Sequence, residues 1–189
     1  DPAARFWHGT QGRCVRTVPL NSAGLALAWS PGGEHLAVAC LNTVAVVNPR
    51  TGELREVADG DAKSAISWEP NGRRLVVGST SNATVYRVAN LQTDRQIAGA
   101  SAKSVVWSPD GKRIAATAGD KLIRVWDVDS CEIVRELTAE GESTVAVAWD
   151  PRGGRLASVG SALIVWDAAK GERSATVKLA PAGGFAVAW

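Results

Sequence analysis

The chain has 189 residues, 46% of them hydrophobic and 21% charged, an ordinary globular balance with enough length to bury a sizeable core. Its formal net charge of +2, from 21 basic and 19 acidic residues, excludes the strongly basic footprint of a protein that holds nucleic acid by neutralising phosphates. Cys14, Cys40 and Cys131 are widely spaced and form no CxxC pair. That spacing argues against a disulfide framework or structural zinc and for a reducing, intracellular compartment, cytoplasmic or nuclear. No apolar run approaches the roughly 20 residues of a membrane span. The chain has no methionine and its N-terminus lacks a signal-peptide pattern, so it is expected to be an internal piece of a longer polypeptide.

Residues 5–18 come first. They hold Phe6-Trp7-His8 and a turn at Gln11-Gly12-Arg13, the expected third and outer strands of an incomplete unit. A fuller pattern then starts at Leu25–Trp29 and recurs: an alternating apolar segment ends in Trp and is followed by a Pro-containing, Gly-rich turn. The copies end at Trp29, Trp68, Trp107, Trp149 and Trp189, about 40 residues apart, which is the range of propeller repeats. After each turn comes a strand of small apolar residues (36–40, 75–79, 114–118, 156–159). A short polar loop leads to a third strand (43–47, 84–88, 122–126, 163–166), and a second turn to a more polar outer strand. No segment keeps a 3.6-residue apolar period, so the expectation is all-β.

Trp107-Ser108-Pro109-Asp110-Gly111, Trp126-Asp127 and Trp166-Asp167 resemble the WD40 repeat family, and the resemblance covers essentially the whole chain. It implies a β-propeller segment with four complete four-stranded blades, at 24–58, 63–97, 102–137 and 144–178. Partial blades are expected at 5–18 and 184–189. Joining those two ends leaves one blade without its second strand, and a ladder cannot skip a strand. The segment is therefore expected to belong to a larger ring of about seven blades, or to be completed by another chain.

The family's His–Ser–Asp–Trp hydrogen-bond tetrad is not intact in any repeat: no His stands nine residues before a repeat Trp, and only Asp120 fits the loop acid. His8 and His35 lack a nearby nucleophile with an orienting acid. Cys14 and Cys131 are expected at comparable outer-strand positions, as packing residues. No phosphate loop, metalloprotease or calcium-loop pattern occurs, so no catalytic residue, metal or cofactor is expected. What the resemblance implies instead is a non-catalytic scaffold that binds other proteins of a larger assembly. It implies no membrane contact and no small-molecule substrate, with nucleic acid engaged only indirectly.

The expected partner surface is the end carrying the loops into the innermost strands and between second and third strands. Its candidates are Lys63, Lys103 and Lys121 as a mild basic rim, with Asn42, Asn82 and Asp120 beside them. The bland alternative for those lysines is ordinary solvation. A reader of acidic or modified peptides is the second functional class. An RNA-processing role is a third, because Trp126–Asp129, Gly171-Glu172 and Phe185–Trp189 are faintly similar to the WD-repeat subunit of the THO mRNA-export complex. A propeller enzyme is the remote fourth.

Overall fold

The structure is a computed structural model that describes residues 2–58, 61, 63–100, 103–117, 121–139, 144–179, 184 and 186–189. Eighteen strands, and no helix, occur among the described residues. β1 (Ala3–Trp7) and β2 (Cys14–Pro19) form an antiparallel pair. The other sixteen make four antiparallel four-stranded sheets, each pairing its strands in chain order. Blade 1 holds β3 (Gly24–Trp29), β4 (Leu36–Cys40), β5 (Thr43–Val47) and β6 (Leu54–Ala58). Blade 2 holds β7 (Lys63–Trp68), β8 (Arg74–Ser79), β9 (Asn82–Arg87) and β10 (Thr93–Ala98). Blade 3 comprises β11 (Val105–Trp107), β12 (Arg113–Thr117), β13 (Leu122–Asp127) and β14 (Ile133–Thr138). Blade 4 comprises β15 (Ala146–Trp149), β16 (Arg155–Val159), β17 (Ala162–Asp167) and β18 (Arg173–Lys178).

Each meander follows from its turns. In all four blades the glycine of the first turn takes a left-handed backbone: φ is +70° at Gly33, +73° at Gly72, +71° at Gly111 and +74° at Gly153. Only glycine does this without a steric penalty. The residue after each repeat Trp closes the same turn from inside. Ser30 and Ser108 are buried, and their hydroxyls accept from His35 N–H at 3.0 Å and Arg113 N–H at 2.9 Å. Glu69 and Asp150, also buried, receive the guanidinium groups of Arg74 and Arg155 instead. Second turns are capped by an Asx side chain in three blades. Asn48, Asp127 and Asp167 each accept from two backbone N–H groups two and three residues on.

The apolar cores lie between blades. Both faces of each second strand are buried beyond its first residue, and β4 is enclosed along its whole length. Tyr86, Leu75 and Trp68 join Val44 and Val46 between blades 1 and 2; Ile97, Trp107, Ile114 and Trp126 fill the gap between blades 2 and 3. Leu137, Trp149, Leu156 and Trp166 do the same between blades 3 and 4. Two of the repeat tryptophans also reach back to the preceding blade, whereas the buried indole N–H groups of Trp107 and Trp149 have no hydrogen-bond partner among the described residues. The Trp68 indole N–H donates to Ala28 C=O at 2.9 Å, and Trp189 donates to Ala148 C=O at 3.2 Å. A sheet with two apolar faces is stable only when both are covered, and stacking copies radially achieves this for every blade except at the ends.

At the N-terminal end, β1 and β2 place Phe6 and Val18 against Leu36, Val38 and Val47 of blade 1. Phe6 meets Trp29 edge-on, with ring centroids 5.9 Å apart. They cover only part of that face: Leu25 and Leu27 stay 53% and 65% exposed. At the other end, residues 186–189 form no strand, as a single segment has no ladder partner there.

Candidate functional site

The proposed loop rim is only partly present. Lys103 is exposed just before β11, and Lys121 is exposed in a left-handed backbone with φ of +68° before β13. Both therefore lie at the loop end of blade 3. That end is well fastened beneath them. Ser104 N–H donates to Thr117 Oγ1 at 3.2 Å, while Ser104 Oγ accepts from Val147 N–H at 3.2 Å in the next blade. Lys63 differs from both expectations for it, being neither a rim cation nor a solvated lysine. It is 2% exposed and engaged within the protein. The reason is topological: β7 is an innermost strand packed against β3 on one side and β11 on the other, so a long side chain at its entry is enclosed.

Asn42 is exposed and its N–H donates to Ser22 Oγ at 3.3 Å. Asn82 opens β9; its N–H donates to Ser79 Oγ, whose hydroxyl in turn donates to Asn82 C=O at 2.9 Å. Both asparagines thus shape the loops between second and third strands of blades 1 and 2. Asp120 lies outside the described residues. No three His, Cys, Asp or Glu side chains converge as a metal site among the described residues.

The thiols depart from the expected equivalence. Cys131 sits in a turn at φ +59°, the left-handed position held by Gly52 (φ +82°), Leu91 (φ +54°) and Gly171 (φ +75°) in the other blades and by Gly12 (φ +61°) before β2. Cys14 is two residues further along its repeat, on β2 and exposed. The misalignment arose because the turn preceding the outer strand contains no proline to mark it. Burial raises the Cys40 thiol above its ordinary value. The His8 ring lies against Thr10, with Nδ1 3.3 Å from Oγ1. One bond of the tetrad survives in blade 4, where the buried Trp166 indole donates to Ser158 Oγ at 2.8 Å.

At the opposite, turn-bearing end, blade 2 carries a charged cluster that reading the sequence passed over. Arg74 donates to Glu69 through two nitrogens, Nη2 to Oε1 at 2.8 Å and Nε to Oε2 at 3.1 Å. Its guanidinium also lies 5.0 Å from the centre of the Trp107 ring. Asp94 is held by Arg87 at 2.7 Å, with Arg74 at 3.5 Å and Arg95 at 3.7 Å. Burial raises the Asp94 carboxyl, but the hydrogen bond and charge of Arg87, with Arg95 and Arg74, outweigh it and keep it below the usual carboxylate range. A cleft of about 620 Å³ opens here, lined by Arg73, Arg74, Arg87, Glu69 and the turn residues between them. The signal in the sequence was Arg87, following Tyr86 where blades 3 and 4 have Asp after Trp.

Comparison with known proteins bears on the repeat. The family model described as "WD domain, G-beta repeat" matches residues 96–127, from the end of β10 through β13. "Ribosome biogenesis protein bop1-A" of Xenopus laevis is 36% identical over 55 residues, 28% of this chain and 8% of that protein. The solved structure of Kuenenia stuttgartiensis hydrazine synthase superposes with a TM-score of 0.78 at 21% identity, over 92% of this chain and 53% of that one. At that identity the likeness establishes the fold alone, and the chain spans only part of either relative. No helix among the described residues is long and apolar enough to cross a membrane. Residues 96–127 thus carry a WD40 repeat, and the four-stranded unit they belong to is built four times, around Trp29, Trp68, Trp107 and Trp149.

Proposed function

We propose that this chain is a non-catalytic scaffold within an intracellular multiprotein assembly, presenting the loop end of its blades to partner proteins. The observation that carries the reading is the fastening of that end. Ser104, Thr117 and Val147 lock the loop end of blade 3 to the start of β15, leaving Lys103 and Lys121 exposed on a pre-organised base. WD40 repeats typically mediate protein–protein contact. Two lysines on one blade favour an acidic partner surface at the rim, and rim charges act mainly on association rate and its salt dependence.

The segment is further proposed to be one part of a larger propeller. Leu25, Leu27 and Trp29 lie on one face of β3, exposed beside pockets of about 380 and 330 Å³ that β1 also lines. Two more strands paired to the free edge of β1 would cover them as blades 1 to 3 are covered. An affinity capture of the intact polypeptide followed by mass spectrometry tests the scaffold reading. Lys103→Glu with Lys121→Glu is expected to deplete specific partners while leaving the melting temperature unchanged. A capture profile that does not respond to this change would sink the loop-end assignment. A second reading, a subunit in ribosome biogenesis, rests on the bop1-A likeness; co-sedimentation with pre-ribosomal particles would distinguish it.

A further inference from the structure

Blade 2 breaks the chain's own pattern at one position. In register, Arg74, Arg113 and Arg155 are the first residues of the second strands, and they face Arg87, Asp127 and Asp167 respectively. In blades 3 and 4 the opposing acid both faces the arginine and caps the second turn through two backbone N–H groups. Blade 1 keeps the cap with Asn48. Blade 2 forgoes it: Arg87 stands there, and Asn90 makes a smaller contact to Gln92 N–H instead. A local stabilising device worth about 1 kcal/mol is thus replaced by an arginine.

The replacement changes the charge of the cleft. Arg73, Arg74 and Arg87 contribute three guanidinium groups to its wall, against the carboxylate of Glu69, with Asp94 behind them holding Arg87. Arg74 is spent, being bound to Glu69 and stacked near Trp107. Arg87 uses Nε and Nη2 on Asp94 Oδ1, which orients the group and leaves Nη1 without a partner among the described residues. Arg73 is exposed on the same cleft wall, and its side chain makes no hydrogen bond or ion pair among the described residues. Two available guanidinium groups, one of them pre-oriented by a partly buried acid, therefore border a space of about 620 Å³, the size of a small-ligand or peptide pocket.

The geometry points to this cleft as a binding site for an acidic peptide segment, whose carboxylates pair with Arg73 and Arg87. A planar fork suits carboxylates, and an oriented arginine loses less freedom on pairing than a free one. A peptide is favoured over nucleic acid because no aromatic side chain lines the cleft as a stacking platform, and Val88 and Ala89 offer a small apolar floor. The site lies at the opposite end of the blade from the proposed loop rim, so the two are separable.

The test measures binding of a fluorescein-labelled hexaglutamate peptide to the full chain by anisotropy, with hexaglutamine and a six-nucleotide oligouridylate as parallel probes. Hexaglutamate is expected to bind, with affinity falling as salt rises, and hexaglutamine not to. The double variant Arg73→Gln, Arg87→Asn places at 87 the residue type blade 1 carries at 48. It should weaken hexaglutamate binding by at least about tenfold, the loss expected from two charge-assisted hydrogen bonds. Lys170→Gln with Lys178→Gln, exposed lysines of blade 4 outside both surfaces, should leave it unchanged. Should the double variant fail to fold, Arg73→Gln alone, at an exposed position, is expected to give about half that loss on a logarithmic scale. Undiminished hexaglutamate binding in the cleft variants would overturn the proposal. So would an equal loss in the blade 4 lysine variant, or stronger cleft-dependent binding of oligouridylate.

Discussion

Trp107 and Trp29 hold the same place in the repeat, close the same kind of strand and precede the same Ser-Pro turn, yet one is 5% exposed and the other 50%. Trp7 and Trp126 make a second such pair, at 61% and 1%. Repeat position does not distinguish the members of either pair. What differs is whether a neighbouring blade stands over them, so in this architecture burial belongs to the stack and not to the unit.

The comparison can be broken most directly at the tryptophans. Trp107→Ala removes a side chain from the core between blades 2 and 3 and is expected to cost about 3–5 kcal/mol in chemical denaturation. Trp29→Ala in the same polypeptide should cost less than half as much, since its ring is half in solvent. Equal losses would mean that the N-terminal face is covered in solution.

Polar groups sharpen the same contrast at smaller scale. Ser158→Ala leaves the enclosed Trp166 indole N–H without its acceptor and should lower stability by about 1–3 kcal/mol, read as a drop in denaturation midpoint at unchanged slope. Leu91 and Cys131 share the left-handed turn position but not its surroundings. Cys131→Gly relieves backbone strain at a half-buried site and is expected to stabilise by about 1 kcal/mol. Leu91→Gly gains the same relief but gives up a 4%-exposed side chain in the core between blades 1 and 2, and should be destabilising overall. Opposite signs at one repeat position would show the neighbour deciding.

The smallest expected effect is acid sensitivity. Backbone N–H donors from Ser130 and Asp129 hold Asp127 below its ordinary value, and those from Lys170 and Ala169 do the same for Asp167. A carboxyl with a depressed folded-state value adds stability that is present above its unfolded value, near pH 4, and is lost as pH falls through the folded value. Melting temperature should therefore be flat above about pH 5 and decline below about pH 4. Asp127→Asn and Asp167→Asn, which keep the cap without the charge, should flatten the decline.

Much of the strand order was legible because its determinants are local. A Trp at every fortieth residue, a Gly able to turn left-handed, and apolar alternation between them announce the four-stranded unit without reference to anything distant. Legibility failed wherever a second blade mattered. Lys63 looks like any rim lysine in sequence, and only the packing of β7 between β3 and β11 encloses it. Cys131 was misaligned with Cys14 since a left-handed turn position tolerates Leu and Cys as well as Gly when surrounding contacts hold it.

The sequence by itself determined the unit: its length, its turns and its strand order. Tertiary structure alone decided which faces are covered, which lysines reach solvent, and that Arg73 and Arg87 border one cleft. The reason is that turn geometry and side-chain alternation are set within a few residues, whereas burial depends on the next blade, some 40 positions away, as the bond from Trp68 to Ala28 shows.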